Sequence, residues 1–417
     1  MAQLPNNILQ NVETYNKAQL AYLENLNCFL HTANKAFQDF RNAQPANLGD
    51  TITFDKPPRF VANDGLVVNF GGVEQRVQKL TVNNAKNVPI AVGSRELKLN
   101  LYEYMSRFGR AAIEELSAVI EADIANVCVE HPYRFFGDGK TPINSFEQLA
   151  RALENFRNFG AARHNTKGYL EDVSVSSITN SGLNQFVPKR NEELANSWEL
   201  GDFSQCEWYK SNLLPVHNAG TEGEQDTTLT VDSVTKDANG AITAITFSGT
   251  NASNDANSVK KNDKFEFQDN VSGQPDLRFL TFIGHQTSAQ KVQFRATSDA
   301  ASDGSNKVTV SIEPSLQATS GKNQNLNHEI VAGMQAKALP SHRAGMIQSG
   351  NQFYVAMPQL PDQDPYKTSV VTDDDTGASL RMYTGALFGQ NVQGTVVDAI
   401  WGKTVVPENA MSLIFPL

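Results

Sequence analysis

At 417 residues, with 40% hydrophobic and 19% charged side chains, the chain has the make-up of a globular protein large enough for two or three domains. Its formal charge of −10 argues against a phosphate-gripping protein, because nucleic-acid binders concentrate Lys and Arg on one face. The three cysteines, Cys28, Cys128 and Cys206, form no Cys-x-x-Cys pair and have no histidine at ligand spacing. They are expected to be small buried hydrophobes in a reducing compartment, with no metal. Residues Met1–Tyr15 lack the basic start and apolar run of a secretory signal, and no stretch reaches the roughly 20 apolar residues that span a bilayer. Synthesis in the cytosol, without a membrane partner, is the expectation.

In chain order, Leu23, Leu26, Leu30, Phe37 and Phe40 recur at helical spacing within residues Asn7 to Phe40, an amphipathic arm that Pro45 ends. The stripe fits a helix packed on its own domain and an arm docked on a partner equally well. From Thr51 to Val92, the β-branched clusters Thr51-Ile52-Thr53-Phe54 and Val67-Val68-Asn69-Phe70 are broken by Pro57-Pro58, Asp64-Gly65 and Gly71-Gly72, which predicts a long hairpin-like excursion. Lys56, Arg59, Arg76 and Lys79 mark its polar tip, and loops of this size without a core of their own are usually binding elements.

Leu101, Met105, Phe108, Ala112, Leu116, Val119 and Val127 form one stripe, widened by Ile113, Ile120 and Ile124, which predicts a helix from Leu101 to Glu130 stopped by His131-Pro132. At 1.5 Å per residue it would be a beam about 45 Å long. A second helix is expected from Ser145, where Ser145-Phe146-Glu147-Gln148 has the form of a capping box. Leu149, Ala152, Leu153 and Phe156 supply its apolar face and Gly160 its end.

From about Thr221 to Gln335 the composition turns to Thr, Ser, Asn, Asp and Val, with strand-like runs Thr228–Val234, Ile242–Phe247, Phe265–Phe267, Val292–Ala296 and Val308–Ile312. Asn239-Gly240 and Asp303-Gly304 between such runs are hairpin signals. Mixed α and β sequence flanks this stretch on both sides, so it reads as an all-β domain inserted into another. Beyond Leu339 come short strands at Gln352–Met357, Gly394–Ile400 and Val405–Val406. The acidic run Asp373-Asp374-Asp375 reads as a solvated loop, lacking the alternating ligands and closing Glu of a calcium loop.

No Gly-x-Gly-x-x-Gly, phosphate loop, Gly-x-Ser-x-Gly elbow or His-Glu-x-x-His motif occurs, so no catalytic, cofactor or metal residues are assigned. His31, His131, His164 and His217 fall near helix ends or in polar loops, where surface or capping roles are the default. Glu114-Glu115 and Glu192-Glu193 are adjacent in sequence and diverge by about 100° on a helix, so neither pair faces one substrate. Asn251-Ala252-Ser253 matches a glycosylation acceptor by accident, given no secretion signal.

The order of parts, together with Gly201-Asp202-Phe203 through Ser211, Leu214-Pro215-Val216, Ala219-Gly220, Lys260-Lys261-Asn262-Asp263-Lys264-Phe265, Ile400-Trp401-Gly402 and Pro407-Glu408-Asn409-Ala410, resembles the major coat proteins of tailed double-stranded DNA phages, in the short-tailed subgroup with an inserted β-domain. Asn262 stands where that family tends to have Gly, and both residues accept left-handed backbone angles.

The resemblance implies an α+β tailed-phage major capsid fold: N-terminal arm, extended β-loop, long spine helix, peripheral and axial domains, and an inserted all-β domain. It divides the chain into a helical arm (1–45), the extended loop with flanking strands (46–93), a peripheral domain with the spine helix (94–143), an axial domain in two parts (144–220 and 339–396) around the inserted β-domain (221–338), and closing peripheral strands (397–417). It further implies no enzyme activity, and assembly in the host cytoplasm into hexamers and pentamers of an icosahedral virion shell. The partners are copies of itself, scaffolding protein, portal protein and packaged double-stranded DNA bound without sequence specificity. Leu23, Leu30 and Phe37 of the arm and Lys56, Arg59 and Arg76 of the loop are the expected intersubunit contacts, with no covalent Lys–Asn crosslink. Two other readings stay open: a secreted or surface-layer β-rich structural protein, and a hydrolase with an unrecognised site around His164 or His217.

Overall fold

The computed structural model describes residues 28–34, 51–60, 75–93, 110–160, 164–178, 199–362, 366–372, 378–386 and 392–417. Leu23, Phe37, Pro45, Asp64-Gly65, Val67–Phe70, Gly71-Gly72, Leu101, Met105, Phe108, Glu192-Glu193 and Asp373–Asp375 lie outside them.

In chain order, helix α1 (Cys28–Thr32) precedes strands β1 (Thr51–Asp55) and β2 (Val77–Gly93) and helices α2 (Arg110–Ala125) and α3 (Val127–Glu130). Then come β3 (Phe135–Phe136), α4 (Phe146–Asn158), β4 (Lys167–Glu171), α5 (Asp172–Ile178), β5 (Glu199–Phe203), β6 (Cys206–Ser211), β7 (Val216–His217) and α6 (Thr221–Glu224). The Thr/Asn-rich stretch supplies β8 (Thr228–Lys236), β9 (Ile242–Ser248), β10 (Lys264–Phe267), β11 (Arg278–Leu280), β12 (Thr287–Lys291), β13 (Gln293–Ala296), β14 (Lys307–Leu316) and β15 (Gln335–Ala338). The chain closes with β16 (His342–Gln348), β17 (Phe353–Ala356), β18 (Lys367–Thr372), β19 (Ser379–Ala386), β20 (Val392–Val405), a 3-10 turn at Pro407–Asn409, and β21 (Ala410–Phe415).

The residues fall into two units: Met1–Phe54, Gln78–Ala125 and Phe353–Thr404 in one, and Asp55–Val77, Asn126–Gln352 and Val405–Leu417 in the other. The first is built on a sheet in the order β1-β2-β20-β19-β18, with β17 also on β20. Helix α2 buries Ala112, Ile113, Leu116, Ile120 and Ile124 at the expected 3.6-residue spacing. Asp123 on the same helix accepts from Asn84 Nδ2 at 2.8 Å, Trp401 Nε1 at 2.7 Å and Lys403 Nζ at 3.1 Å, which ties α2 to β2 and β20. The single helix expected to reach Glu130 breaks at Asn126. Lys403 Nζ donates to the Asp123 carbonyl, an acceptor that a continuing helix would give to the residue four places on.

In the second unit, α4 starts where the capping box placed it: Ser145 Oγ accepts from the Gln148 N–H at 3.3 Å, and Leu149, Ala152, Leu153 and Phe156 are buried. Gly160, at φ +92, lies just past its end. A seven-stranded sheet runs β3-β21-β16-β4-β6-β5, with β7 also on β16. The strands β8, β9, β10, β13, β14 and β15 close into a barrel in the order β10-β13-β14-β9-β8-β15. Their alternating apolar residues fill it, and the Phe247, Phe265 and Phe294 rings stack with centroids 5.1 to 6.2 Å apart.

The chain leaves the sheet after β7 and returns on β16, and these two strands pair, His217 opposite His342. The barrel is therefore an insertion between adjacent strands. Its turns follow sequence chemistry with one shift. Gly240 takes φ +80 as the Asn239-Gly240 signal expects, but in the Asp303–Asn306 turn the left-handed residue is Asn306 at φ +54. The Asp303 carboxylate sets that turn by accepting from the N–H groups of Ser305 and Lys307 at 2.8 and 2.9 Å. Asn262 sits at φ +72, the left-handed angle that its place in a glycine position requires.

Candidate functional site

Three of the six candidate contact residues meet in one place. The Lys56 N–H donates to the Arg76 carbonyl at 2.7 Å, which sets the two sides of the excursion together and corrects the placement of these cations from its tip to its root. Their side chains converge on Glu408 of the Pro407–Asn409 turn: Arg76 bonds Oε1, and Lys56 Nζ lies 3.6 Å from Oε2. Arg59 stands 4.7 Å over the Phe282 ring, near enough to Glu408 to help hold its charge. Burial alone would raise the Glu408 carboxyl, but Lys56, Arg76 and Arg59 outweigh it and hold the group below the usual range.

Behind this trio lies Arg134, fully buried, its guanidinium 4.1 Å over Phe159 and 5.3 Å over Phe156. Its Nη2 donates to the Glu408 carbonyl at 3.0 Å, while Nε and Nη1 have no acceptor, as is also true of Arg59 Nε and Arg76 Nη1. Burial lowers the Arg134 pKa to about 10, so it stays charged at neutral pH, and burial pushes the neighbouring Tyr133 hydroxyl up to about 12. Four cations thus surround one carboxylate. Sequence reasoning found Lys56, Arg59 and Arg76 from the excursion, missed Arg134, and named Glu408 only within the Pro407–Ala410 run, with no role for its charge. The one local signal for Arg134 was a cation abutting the Phe135-Phe136 pair.

The fourth contact candidate that is described, Leu30, is 1% exposed within its own unit. Helix α1 is seated on α2 by Glu121, whose Oε1 accepts from the Phe29 N–H at 2.9 Å, and by an edge-to-face contact of Phe29 with Phe353 at 6.3 Å. The missed signal was a Glu on the apolar stripe of α2.

A second polar cluster lies where the barrel leaves the sheet. Asp263 accepts from His217 Nε2 at 2.7 Å, the Gly220 N–H at 3.1 Å and the Lys260 N–H at 2.8 Å. Lys264, fully buried, donates to Ser412 Oγ, and Ser412 Oγ in turn donates to the Cys128 carbonyl at 2.6 Å. His342 makes its Nδ1 contact with the Pro340 carbonyl at 2.7 Å and leaves Nε2 without a partner. His217 is buried, which corrects the expectation of a surface or capping role: pairing of β7 with β16 draws it inside against Asp263. His164 is exposed. All three cysteines are buried and in no disulfide. Among the described residues no group of three or more His, Cys, Asp or Glu is placed to hold a metal, and no helix is long and apolar enough to cross a membrane.

Two cavities of about 230 Å³ flank Phe135 and Glu266, one lined by Asp138, Lys140, Asp226 and Lys337, the other by Asn155, Gln290, Lys291 and Gln293. Asp226 holds both Lys140 and Lys337 at 2.9 Å, so the first is walled by charges that neutralise one another.

No family model matches the chain, and no curated protein matches it. Among solved structures, it is similar to a chain of Mycobacterium phage Che8, at 9% identity and a TM-score of 0.45, covering 93% of this chain and 90% of that one. It is similar to the capsid asymmetric unit of Cyanophage Pam1, at 8% identity and a TM-score of 0.43, covering 91% and 87%. It is also similar to the capsid of Ralstonia phage GP4, at 8% identity and a TM-score of 0.41, covering 89% and 84%.

Proposed function

We propose that this chain is a major capsid protein of a tailed double-stranded DNA phage, a structural protein of the virion without catalytic chemistry. The observation that carries the reading is the closed barrel set between the paired strands β7 and β16, downstream of the long strand β2 and the amphipathic helix α2. This is the order of parts on which the sequence resemblance rests. On this reading copies of the chain form the hexamers and pentamers of an icosahedral shell around DNA, assembled in the host cytoplasm with scaffolding and portal proteins. The peripheral and axial divisions follow the boundaries given above.

The arm, with Leu23, Leu30 and Phe37, and the excursion root, with Lys56, Arg59 and Arg76, supply the joints between subunits. Leu30 is buried in its own unit, so it reaches a neighbour only when α1 leaves Glu121. The hydrolase reading gains no support, since His164 is exposed and His217 is committed to Asp263 with no nucleophile assigned beside it.

Electron microscopy of the expressed protein, with and without its scaffolding partner, tests the proposal. Uniform icosahedral particles, tubes or sheets are expected, whereas a strictly monomeric species under every assembly condition would overturn it. Assembled particles should also dissolve to single bands on denaturing gels, because no intersubunit crosslink is expected.

A further inference from the structure

We propose that Lys56, Arg59, Arg76 and Arg134 around Glu408 form an oxyanion-binding site, which takes a carboxylate or phosphate-type group on its unused guanidinium N–H donors. Elsewhere among the described residues, several arginines are each matched to carboxylates, although Arg157, Arg295 and Arg343 also keep an Nε without an acceptor. Arg381 is matched two-pronged to Asp398, Arg343 to Glu171, and Arg278 to Asp269 and Asp276. Here four cations share one carboxylate, whose Oε1 accepts from Arg76 while Oε2 lies 3.6 Å from Lys56 Nζ without a hydrogen bond.

The excess is one of hydrogen bonding as well as charge. Arg59 Nε, Arg76 Nη1, and Arg134 Nε and Nη1 are buried without an acceptor. A buried donor left unmade is costly, and a guanidinium does not shed its proton at neutral pH to escape that cost. Water would satisfy the N–H groups but leave the charge. An oxyanion does both, and planar guanidinium forks bind carboxylate and phosphate oxygens in pairs. The Lys56 and Arg76 side chains retain 13% and 25% exposure, so the rim of the cluster meets solvent although the unmade donors themselves are buried. Two sources share this chemistry: a free oxyanion, and the side-chain carboxylate of a second copy of this chain, which carries 45 Asp and Glu. Only the second rests on the shell-building reading.

The test uses the full-length, unassembled protein at constant ionic strength. Inorganic phosphate or sulfate at low millimolar concentration replaces chloride, below the range where these salts act by exclusion from the surface. Calorimetric binding, with a rise in the thermal midpoint of about 2–4 °C, is expected for a free oxyanion. Glu408→Gln should enlarge the rise, Arg76→Gln should weaken binding at least tenfold, and Arg151→Gln, at an exposed helix pair, should leave it unchanged. If Arg76→Gln does not fold, wild type against Glu408→Gln decides this arm.

The second arm treats assembled protein with a zero-length carbodiimide. A peptide joining Lys56 to an Asp or Glu of another copy, identified by mass spectrometry, assigns the site to a neighbour's carboxylate. Equal anion responses in wild type, Glu408→Gln and Arg76→Gln, together with no intermolecular Lys56 crosslink, would overturn the proposal. The anion arm reads the site whether or not shells form, so its failure is distinguishable from failure of the capsid reading.

Discussion

Glu121 lies on the buried stripe of α2 and accepts the Phe29 N–H, and burial raises its pKa to about 7, the backbone bonds to α1 only partly opposing it. Its folded pKa exceeds the unfolded value, so this contribution to stability is complete below about pH 4.5 and is lost as pH rises toward 7. Urea unfolding from pH 4.5 to 7.5 should register a loss of about 3 kcal/mol at most, and Glu121→Gln should flatten it; an unchanged slope in the variant would exclude this origin. Lys264 is the converse case. Burial, with Arg295 adding to it, lowers its pKa to about 7 from 10.5, so the unfolded chain binds the extra proton between those values and stability rises with pH across that window. Lys264→Met should remove that rise and stabilise the protein by about 1–4 kcal/mol at pH 7, measured by urea unfolding carried on from pH 7 to 10.5. Burial, then the Lys264 charge, lowers His342 to about 3, so a further loss is expected as pH falls from 6.5 toward 3. From sequence His342 was not singled out, and Lys264 was named only within the Lys260–Phe265 run, with no sign of its burial. Alternation in Lys264-Phe265-Glu266-Phe267 sets Lys264 on the face opposite the phenylalanines, a face that reads as solvent until the sheet and α3 are placed against it.

At the scale of elements, local chemistry was legible wherever a periodicity or a cap spoke for itself. The start of α4, its apolar face and its glycine end follow from residues 145–160 alone. Ser145→Ala should cost about 1 kcal/mol by chemical denaturation, with no loss of the helix in the folded state. Helix α2 was legible in its stripe, whereas its break at Asn126 was not, because the group that takes the Asp123 carbonyl is Lys403 on β20. Asp123→Ala strands three donors from β2 and β20 and should destabilise that unit by about 2–4 kcal/mol. Hydrogen exchange faster in β2 and β20 than in β16 and β21 would locate the effect, and uniform loss in all four would argue against it.

For the whole molecule, the inserted barrel is the part most readable from sequence, since its strands alternate and its turns carry Asn-Gly and Asp-rich signals. Its closure rests on the Phe247, Phe265 and Phe294 stack, so Phe265→Ala should cost about 3–5 kcal/mol. Amide protection should then fall across 228–338 while 78–93 and 392–404 keep theirs. The amino-acid order by itself determined α2, α4, five of the six barrel strands (β15 was not read as one) and the absence of recognised catalytic motifs, because each depends on spacing within a few residues. Only the tertiary structure decided that Lys56, Arg59 and Arg76 share Glu408 with Arg134. Arg76 and Glu408 stand 332 residues apart, and no local period records which distant charges long-range strand pairing will bring together. The cations expected to face other molecules therefore first form a cluster within the chain, four positive charges around one carboxylate.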